Sequence, residues 1–378
     1  MDKLLELFSN VTEIRPGHII MWIIGGILIY LAIKKEMEPT LLLPMGFGAI
    51  LVNIPFSGAI DQLLEGHFQE GALSTLFDAG IANELFPLIL FIGIGAMIDF
   101  GPLLTNPKLM IFGAAAQFGI FFTLCLASMF FSPEEAASIG IIGAADGPTA
   151  IVVANKLLGP DSEITGAIMV AAYSYMALVP IIQPPVIKLL TTKKERMIRM
   201  PYEGKNVSKT TKILFPIIIT IVAGVIVPES VSLIGFLMFG NLIRECGVLD
   251  SLSETAQKVL ANLITIFLGI TIACQMQAEK FLQPATLLIL ALGLFAFIFD
   301  TAGGVLFAKF LNLFLKEKIN PMVGAAGISA FPMAGRIVHK LGLKEDPQNF
   351  LLMQSMGVNV SGQIASVIAG GLILNFFG

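Results

Sequence analysis

The chain has 378 residues, 56% of them apolar and only 13% charged, with 23 Lys and Arg against 27 Asp and Glu. A soluble globular chain carries roughly 25% charged residues, so this composition, with a mean hydropathy of +0.85, excludes a soluble or a disordered protein. A net charge of -4 offers no basic field for nucleic acid.

Spanning a bilayer takes about 20 apolar residues per helix, so the length predicts one all-α polytopic membrane protein of roughly ten spans. Residues 1–17 read as an amphipathic segment carrying Asp2, Glu6 and Glu13, without the basic start and small-residue cleavage site of a signal peptide. Apolar runs follow at 18–33, 39–54, 84–100, 109–131, 135–158, 164–190, 213–227, 231–243, 258–278, 285–315, 320–342 and 350–376. Two of these are unlike the rest. Run 135–158 contains Gly-Ala-Ala-Asp-Gly-Pro-Thr (143–149), and run 320–342 contains Asn-Pro-Met-Val-Gly-Ala-Ala-Gly-Ile-Ser-Ala-Phe-Pro (320–332). Irregular backbone at membrane depth is tolerated only inside protein or beside a wet cavity. Both runs are therefore expected to be broken, re-entrant segments.

Lys and Arg in short loops mark the cytoplasmic side. Lys193, Lys194, Arg196, Arg199, Lys205, Lys209 and Lys212 place the loop 193–212 there, and Lys34 and Lys35 place the loop after the first span with it. The stretch 55–84 has no Lys or Arg and carries Asp61, Glu65, Glu70, Asp78 and Glu84, so it is expected outside. The two basic loops share a side only if run 135–158 enters and leaves on one side. The same logic in the second half gives ten full spans, two re-entrant segments and both termini outside.

The halves resemble each other. Phe47-Gly48 recurs as Phe239-Gly240, Phe91-Ile92-Gly93-Ile94 as Phe267-Leu268-Gly269-Ile270, and Pro148, Ala150 and Lys156-Leu157 as Pro332, Ala334 and Lys340-Leu341. That register sets Tyr175 on Asn359. The expectation is an inverted repeat, 18–192 and 213–378, joined by the basic linker 193–212, with five spans and one broken segment in each half. Inverted repeats with broken helices are typical of ion-coupled carriers.

An ionisable group inside a span costs several kcal/mol and marks function. Asp146 lies in the first break, where Gly147 and Pro148 free nearby carbonyls. A carboxylate with freed carbonyls is a hard-oxygen site suited to a small cation. Asn320, Ser329, Asn359 and Ser361 supply neutral oxygens in the second half. Arg336 can hold an anionic group through its planar fork or reach the interface as a long cation. Tyr175 can ligate, donate a proton or pack; Tyr173 reads as packing. Asp99 reads as a helix-end residue and Asp300 as a deeper, second ion or proton group. Cys125, Cys246 and Cys274 lie far apart and read as small core residues, giving no disulfide framework or metal cluster.

Five long stretches carry a family resemblance: Gly-Ile-Gly-Ala-Met-Ile-Asp-Phe-Gly-Pro-Leu-Leu-Thr-Asn-Pro (93–107), the break 143–151, Ala-Ala-Tyr-Ser-Tyr-Met-Ala-Leu-Val-Pro-Ile-Ile-Gln-Pro-Pro (171–185), 318–336 and 347–362. The chain resembles the beta subunit of the sodium-translocating, biotin-dependent decarboxylases. The resemblance implies a multi-pass protein of the cytoplasmic membrane that decarboxylates carboxybiotin and couples this to sodium export. It implies Asp146, Tyr175 and Arg336 as catalytic groups, Arg336 and Gly324 toward carboxybiotin, and Asp146, Tyr175, Asn320, Ser329 and Asn359 toward Na+. This chain has no biotinylation lysine of the Ala-Met-Lys-Met type, so carboxybiotin comes from a separate biotin carrier subunit. A carboxyltransferase alpha subunit, a small membrane anchor subunit and lipid complete the expected partners, and a homo-oligomer within the complex is compatible with them. From residue chemistry alone, a self-sufficient sodium-coupled carboxylate carrier or a sodium–proton antiporter fits equally well.

Overall fold

A computed structural model describes residues 9–64, 66–202, 204 and 206–378. Asp2, Glu6, Glu65 and Lys205 of the stretches named above lie outside the described residues. The chain runs through α1 (Pro16–Lys35), α2 (Pro39–Val52), the small hairpin β1 (Gln62–Leu64) and β2 (His67–Gln69), then α3 (Ala72–Ala82) and α4 (Leu85–Met97). It continues through α5 (Pro107–Ala127), α6 (Pro133–Gly140), α7 (Gly147–Leu158), α8 (Glu163–Leu190), α9 (Lys209–Ile226), α10 (Val231–Cys246) and α11 (Asp250–Met276). The last elements are α12 (Pro284–Phe314), α13 (Met322–Ala325), α14 (Met333–Glu345) and α15 (Leu352–Phe377).

Among the described residues, seven helices are long and apolar enough to cross a membrane, or eight if the bent pair α3–α4 counts as one span. The chain is an all-α, multi-pass membrane protein. The ten full spans expected from the runs exceed this number because α2 has 14 residues and α10 has 16, both below a full bilayer crossing by length. The outer helices α1 and α9 are the least buried of the long ones, while α8 and α15 are the most buried. On α1, Ile19, Ile23, Ile27 and Tyr30 stay exposed at the three- and four-residue spacing of one helix face, as a lipid-facing stripe would.

Helix packing is reciprocal between the two halves. The fourth apolar run of each half lies against the last run of the other: α5 against α15, and α12 against α8. In the same way α4 packs on α10, and α11 packs on α2. Buried asparagines close both of the latter contacts. Asn53 Nδ2 donates to the Met276 carbonyl at 2.7 Å and its Oδ1 accepts from Ala278 N at 2.8 Å. Asn241 Nδ2 donates to the carbonyls of Ile98 at 2.9 Å and Gly95 at 3.3 Å. Each amide thus satisfies backbone groups freed where a partner helix ends.

The linker is strapped to the second broken segment. Arg196 pairs with Glu345 at 2.9 Å and Arg199 with Asp346 at 2.6 Å. The Arg199 guanidinium, followed by the Gln348 N–H, holds the Asp346 carboxyl below the usual carboxylate range. Asn320, at the start of the segment, donates to the carbonyls of Arg196 and Ile198 at 2.9 and 2.8 Å. Both ends of the segment therefore lie against the same few linker residues, so it enters and leaves at one end of the molecule. Asp99, paired with Lys212 at 3.4 Å, and Glu195, paired with Lys309 at 3.1 Å, belong to this basic end.

Candidate functional site

The first broken segment unwinds between α6 and α7. A 3-10 turn, Ile141–Ala144, leads into Ala145 at φ 52°, a left-handed conformation rare outside glycine. Asp146 follows in extended backbone and caps α7, whose first positions, Gly147 and Pro148, suit a helix start. The Asp146 carboxyl group is buried. Its Oδ2 accepts from Thr149 Oγ1 at 2.7 Å, Gln363 Nε2 at 2.9 Å and Ser366 Oγ at 3.0 Å. No Lys, Arg or His pairs with it among the described residues. Three neutral donors and a helix N-terminus orient this carboxylate, but they leave its charge without a counter-ion.

The second broken segment meets the first at its tip. Ser329 N donates to the Ala144 carbonyl at 3.0 Å, and Ser329 Oγ donates to the Gly362 carbonyl at 2.9 Å. Asn359 Nδ2 donates to the Ile328 carbonyl at 2.7 Å, while its buried Oδ1 has no hydrogen-bond partner among the described residues. Buried carbonyl oxygens rarely go unpaired, so Asn359 presents a free hard-oxygen ligand. Asn359, Gln363 and Ser366 are spaced i, i+4 and i+7, so they share one face of α15. That face bridges both breaks.

Of the residues expected at the site, Asp146, Ser329 and Asn359 are brought together by this arrangement. Tyr175 faces α12: its hydroxyl donates to the Leu290 carbonyl, and its ring lies against Gly293 beside Ile142. Asn320 is not at the breaks. Its amide is taken up by the linker, at the end where α15 begins, and Ser366 lies fourteen residues along that helix, about 20 Å away at 1.5 Å per residue. Gly324 serves a backbone crossing, since a Cβ there would lie 2.0 Å from the Gly304 carbonyl oxygen. Ser361 turns away from the breaks and donates to the carbonyls of Val358 and Leu109. Tyr173 packs as expected, but its ring covers Gly147 in the first break and its buried hydroxyl has no partner. Cys274 is buried, whereas Cys125 is exposed and Cys246 half-buried. These two correct the core reading, because an apolar run in a membrane protein supplies outward faces as well as a core.

Arg336 is exposed on α14 and lines a cavity of about 480 Å³ at the basic end, together with Lys35, Glu38, Lys340 and Lys344. It makes no hydrogen bond or ion pair among the described residues. Burial pushes the Glu38 carboxyl up, and the nearby Arg336 charge draws it back. The cavity thus holds four cationic side chains against two acidic ones, Glu36 and Glu38, and the guanidinium has no hydrogen-bonded partner in it among the described residues.

Sequence reasoning missed Gln363, Ser366 and Thr149 as partners of Asp146. The signal was the polar i, i+4, i+7 stripe that begins at Asn359.

The family model for the Na+-transporting oxaloacetate decarboxylase beta subunit matches residues 17–377. The chain belongs to that family. It is 50% identical to the methylmalonyl-CoA decarboxylase subunit beta of Propionigenium modestum, over 97% of this chain and 96% of the relative. It is 51% identical to the subunit of the same description from Veillonella parvula, over 97% and 95%. With the oxaloacetate decarboxylase beta chain of Haemophilus ducreyi it shares 45% identity over 100% and 99%. The chain is a subunit of a Na+-translocating, multisubunit decarboxylase.

Proposed function

We propose that this chain decarboxylates carboxybiotin, delivered by a separate biotin carrier subunit, and couples that reaction to sodium export. The observation that carries the reading is the meeting of two broken segments at a buried carboxylate, Asp146, that has no counter-cation. The relatives' names add a second argument. They act on different acyl substrates, oxaloacetate and methylmalonyl-CoA, so a beta chain common to both fits an intermediate that the two reactions share. The acyl substrate would then be read by the carboxyltransferase alpha subunit, with a small membrane anchor subunit completing the complex.

Sodium, the cargo, takes Asp146, the free Oδ1 of Asn359 and the Ser329 hydroxyl. Tyr175 and Asn320, whose polar atoms are engaged with Leu290 and the linker, act by positioning α12 and the second segment. Carboxybiotin enters the cationic cavity at the basic, cytoplasmic end, where Arg336 orients the carboxylate by a forked, charge-assisted hydrogen bond. The N–C bond to the carboxyl group breaks, carbon dioxide leaves, and the ureido nitrogen keeps the electron pair and takes a proton. Exporting sodium costs about 2.3 kcal/mol per charge at 100 mV, and the decarboxylation supplies it. The two halves act as an inverted repeat whose breaks expose the ion site alternately.

Avidin, which sequesters biotin, tests this. In inverted vesicles carrying the complete complex, sodium uptake driven by the acyl substrate should be abolished by avidin. Uptake that avidin leaves intact would assign the chain to self-sufficient secondary carriers instead.

A further inference from the structure

The membrane domain buries a second carboxyl group that the sodium site does not use. Asp300 lies on α12, fully buried, where α12 crosses α5. Helical hydrogen bonding in α5 is interrupted at Gln117, where Phe118–Ala127 begins as a fresh ten-residue helical run; the Ile120 N–H reaches back to the Gln117 carbonyl at 3.1 Å and is shared with Asp300 across the helix crossing. Asp300 Oδ1 accepts the Ile120 N–H at 3.1 Å, and a Cβ on Gly119 would fall 2.2 Å from that oxygen. Oδ2 has no hydrogen-bond partner among the described residues. It is turned toward the first broken segment, since a Cβ on Gly143 would lie 3.4 Å from it.

The ionisable neighbours leave this group to itself. No Lys, Arg or His pairs with Asp300 among the described residues. On α5, Cys125 is exposed. On α6, Glu135 is used in the cap at Ser132, and Glu134 is exposed. On α8, Tyr175 meets α12 at Leu290 and Gly293, two turns or more away. Lys309, further along α12, is paired with Glu195. Asp146 lies three residues beyond Gly143 on the far limb of the break.

We propose that Asp300 is a proton-binding site of the transport cycle, separate from the sodium site, with the proton carried on Oδ2 against Gly143. A proton needs one oxygen, whereas a metal ion needs several. The hydroxyl of the adjacent Thr301 is about 100° round the helix, so Oδ2 offers a single-oxygen site. Oδ1 keeps its backbone donor in either state, which confines the change of charge to the oxygen facing the broken segment. When Oδ2 is protonated, the neutral group packs against the segment. When it is ionised, an uncompensated buried charge destabilises that packing and favours a rearranged break. Proton and sodium thus act on two flanks of one short stretch, residues 143–146. This inference rests on the reading of Asp146 as the sodium carboxylate.

Infrared difference spectra between acid and alkaline pH, recorded on the purified complex without sodium, test it. The wild type should show a protonated-carboxyl C=O band that shifts in D2O. Asp300→Asn, nearly isosteric and still able to accept the Ile120 N–H, should remove one component of that band, the component that Asp146 and the other carboxyl groups do not supply, and Asp300→Glu should move it. The change in apparent sodium affinity across the pH range should be at least about twofold smaller in Asp300→Asn than in the wild type, the remainder coming from proton competition at Asp146. A wild-type minus Asp300→Asn double difference that contains no such band, or an unchanged pH dependence in the variant, would each overturn the proposal. Saturable sodium binding by the wild type is measured on the same preparation. Its absence would overturn the Asp146 reading, while the carboxyl band still decides the assignment of Asp300.

Discussion

Asp146 and Gln363 stand in a relation that single substitutions can separate. The carboxylate carries the charge that a cation needs, and Gln363 only aims one of its oxygens through the 2.9 Å bond. Asp146→Asn should abolish sodium-coupled decarboxylation in a protein that still inserts. Gln363→Leu should weaken sodium affinity about 10–100-fold, the usual cost of losing a group that orients a ligand, and leave the maximal rate close to wild type. Equal losses in the two variants, or more than half the activity surviving in Asp146→Asn, would remove this carboxylate from the ion path. Arg336 poses a different question. It stands unpaired in the cationic cavity, where a clamp needs the planar fork and a surface anchor needs only length and charge. Arg336→Lys is expected to lose decarboxylation of carrier-bound carboxybiotin by at least about tenfold with sodium binding unchanged. A near-normal rate in that variant would make Arg336 an interface anchor.

At the scale of elements, the two breaks were legible because Gly and Pro, joined by Asp146 in the first and by Asn320 and Ser329 in the second, cannot sit together in a lipid-facing helix. The details of the site were less so. The repeat-related positions of Ser329 and Asn359 in the second half point toward the first break, and both residues lie where the two breaks meet. Asn320 shares that setting in the sequence, yet it faces the linker, since only the fold shows that 193–202 returns to cover the mouth of the second segment. Gln363 and Ser366 were passed over because polar residues in a membrane helix usually bond to neighbouring helices, and their register on Asp146 exists only in three dimensions. The break also depends on Ala145, which no pattern singled out. It is fully buried and holds φ 52°. A β-branched side chain there adds backbone strain of about 1–3 kcal/mol, and extra methyl groups in a packed site add a similar amount. Ala145→Val should therefore lower the midpoint of thermal unfolding in detergent and abolish sodium binding, whereas Ala145→Gly should keep both near wild type. A Val variant with an unchanged midpoint would show that the left-handed turn is not needed to hold Asp146.

For the whole molecule, the reciprocal packing has a consequence for assembly. Between helices in a bilayer there is no hydrophobic drive, so association depends on close packing and polar contacts. Here those contacts run mostly between the halves: α4 on α10, α2 on α11, α5 on α15 and α8 on α12. Separating the halves would strand the buried amides of Asn53 and Asn241 and the helix ends they satisfy, at about 1–3 kcal/mol for each buried group left unpaired. The strap formed by 193–202 is continuous with the first half but bound to Asn320, Asn349, Glu345 and Asp346 of the second. Cutting the chain between residues 203 and 206 leaves that strap on the first half, where it can still clasp its partner. Two polypeptides, 1–203 and 206–378, produced together should associate, copurify and support sodium-dependent decarboxylation within about threefold of the intact chain once the other subunits are present. Either piece produced alone should be unstable, because each lacks the surface that covers its central helices. The measurement is size-exclusion chromatography of each piece and of the pair in mild detergent, followed by activity of the reconstituted pair. A first half that runs alone as a stable, monodisperse species would mean that its helices are satisfied within their own half. Halves that fail to associate when made together would mean that the covalent linker, and not the packing between the halves, holds the two breaks in contact.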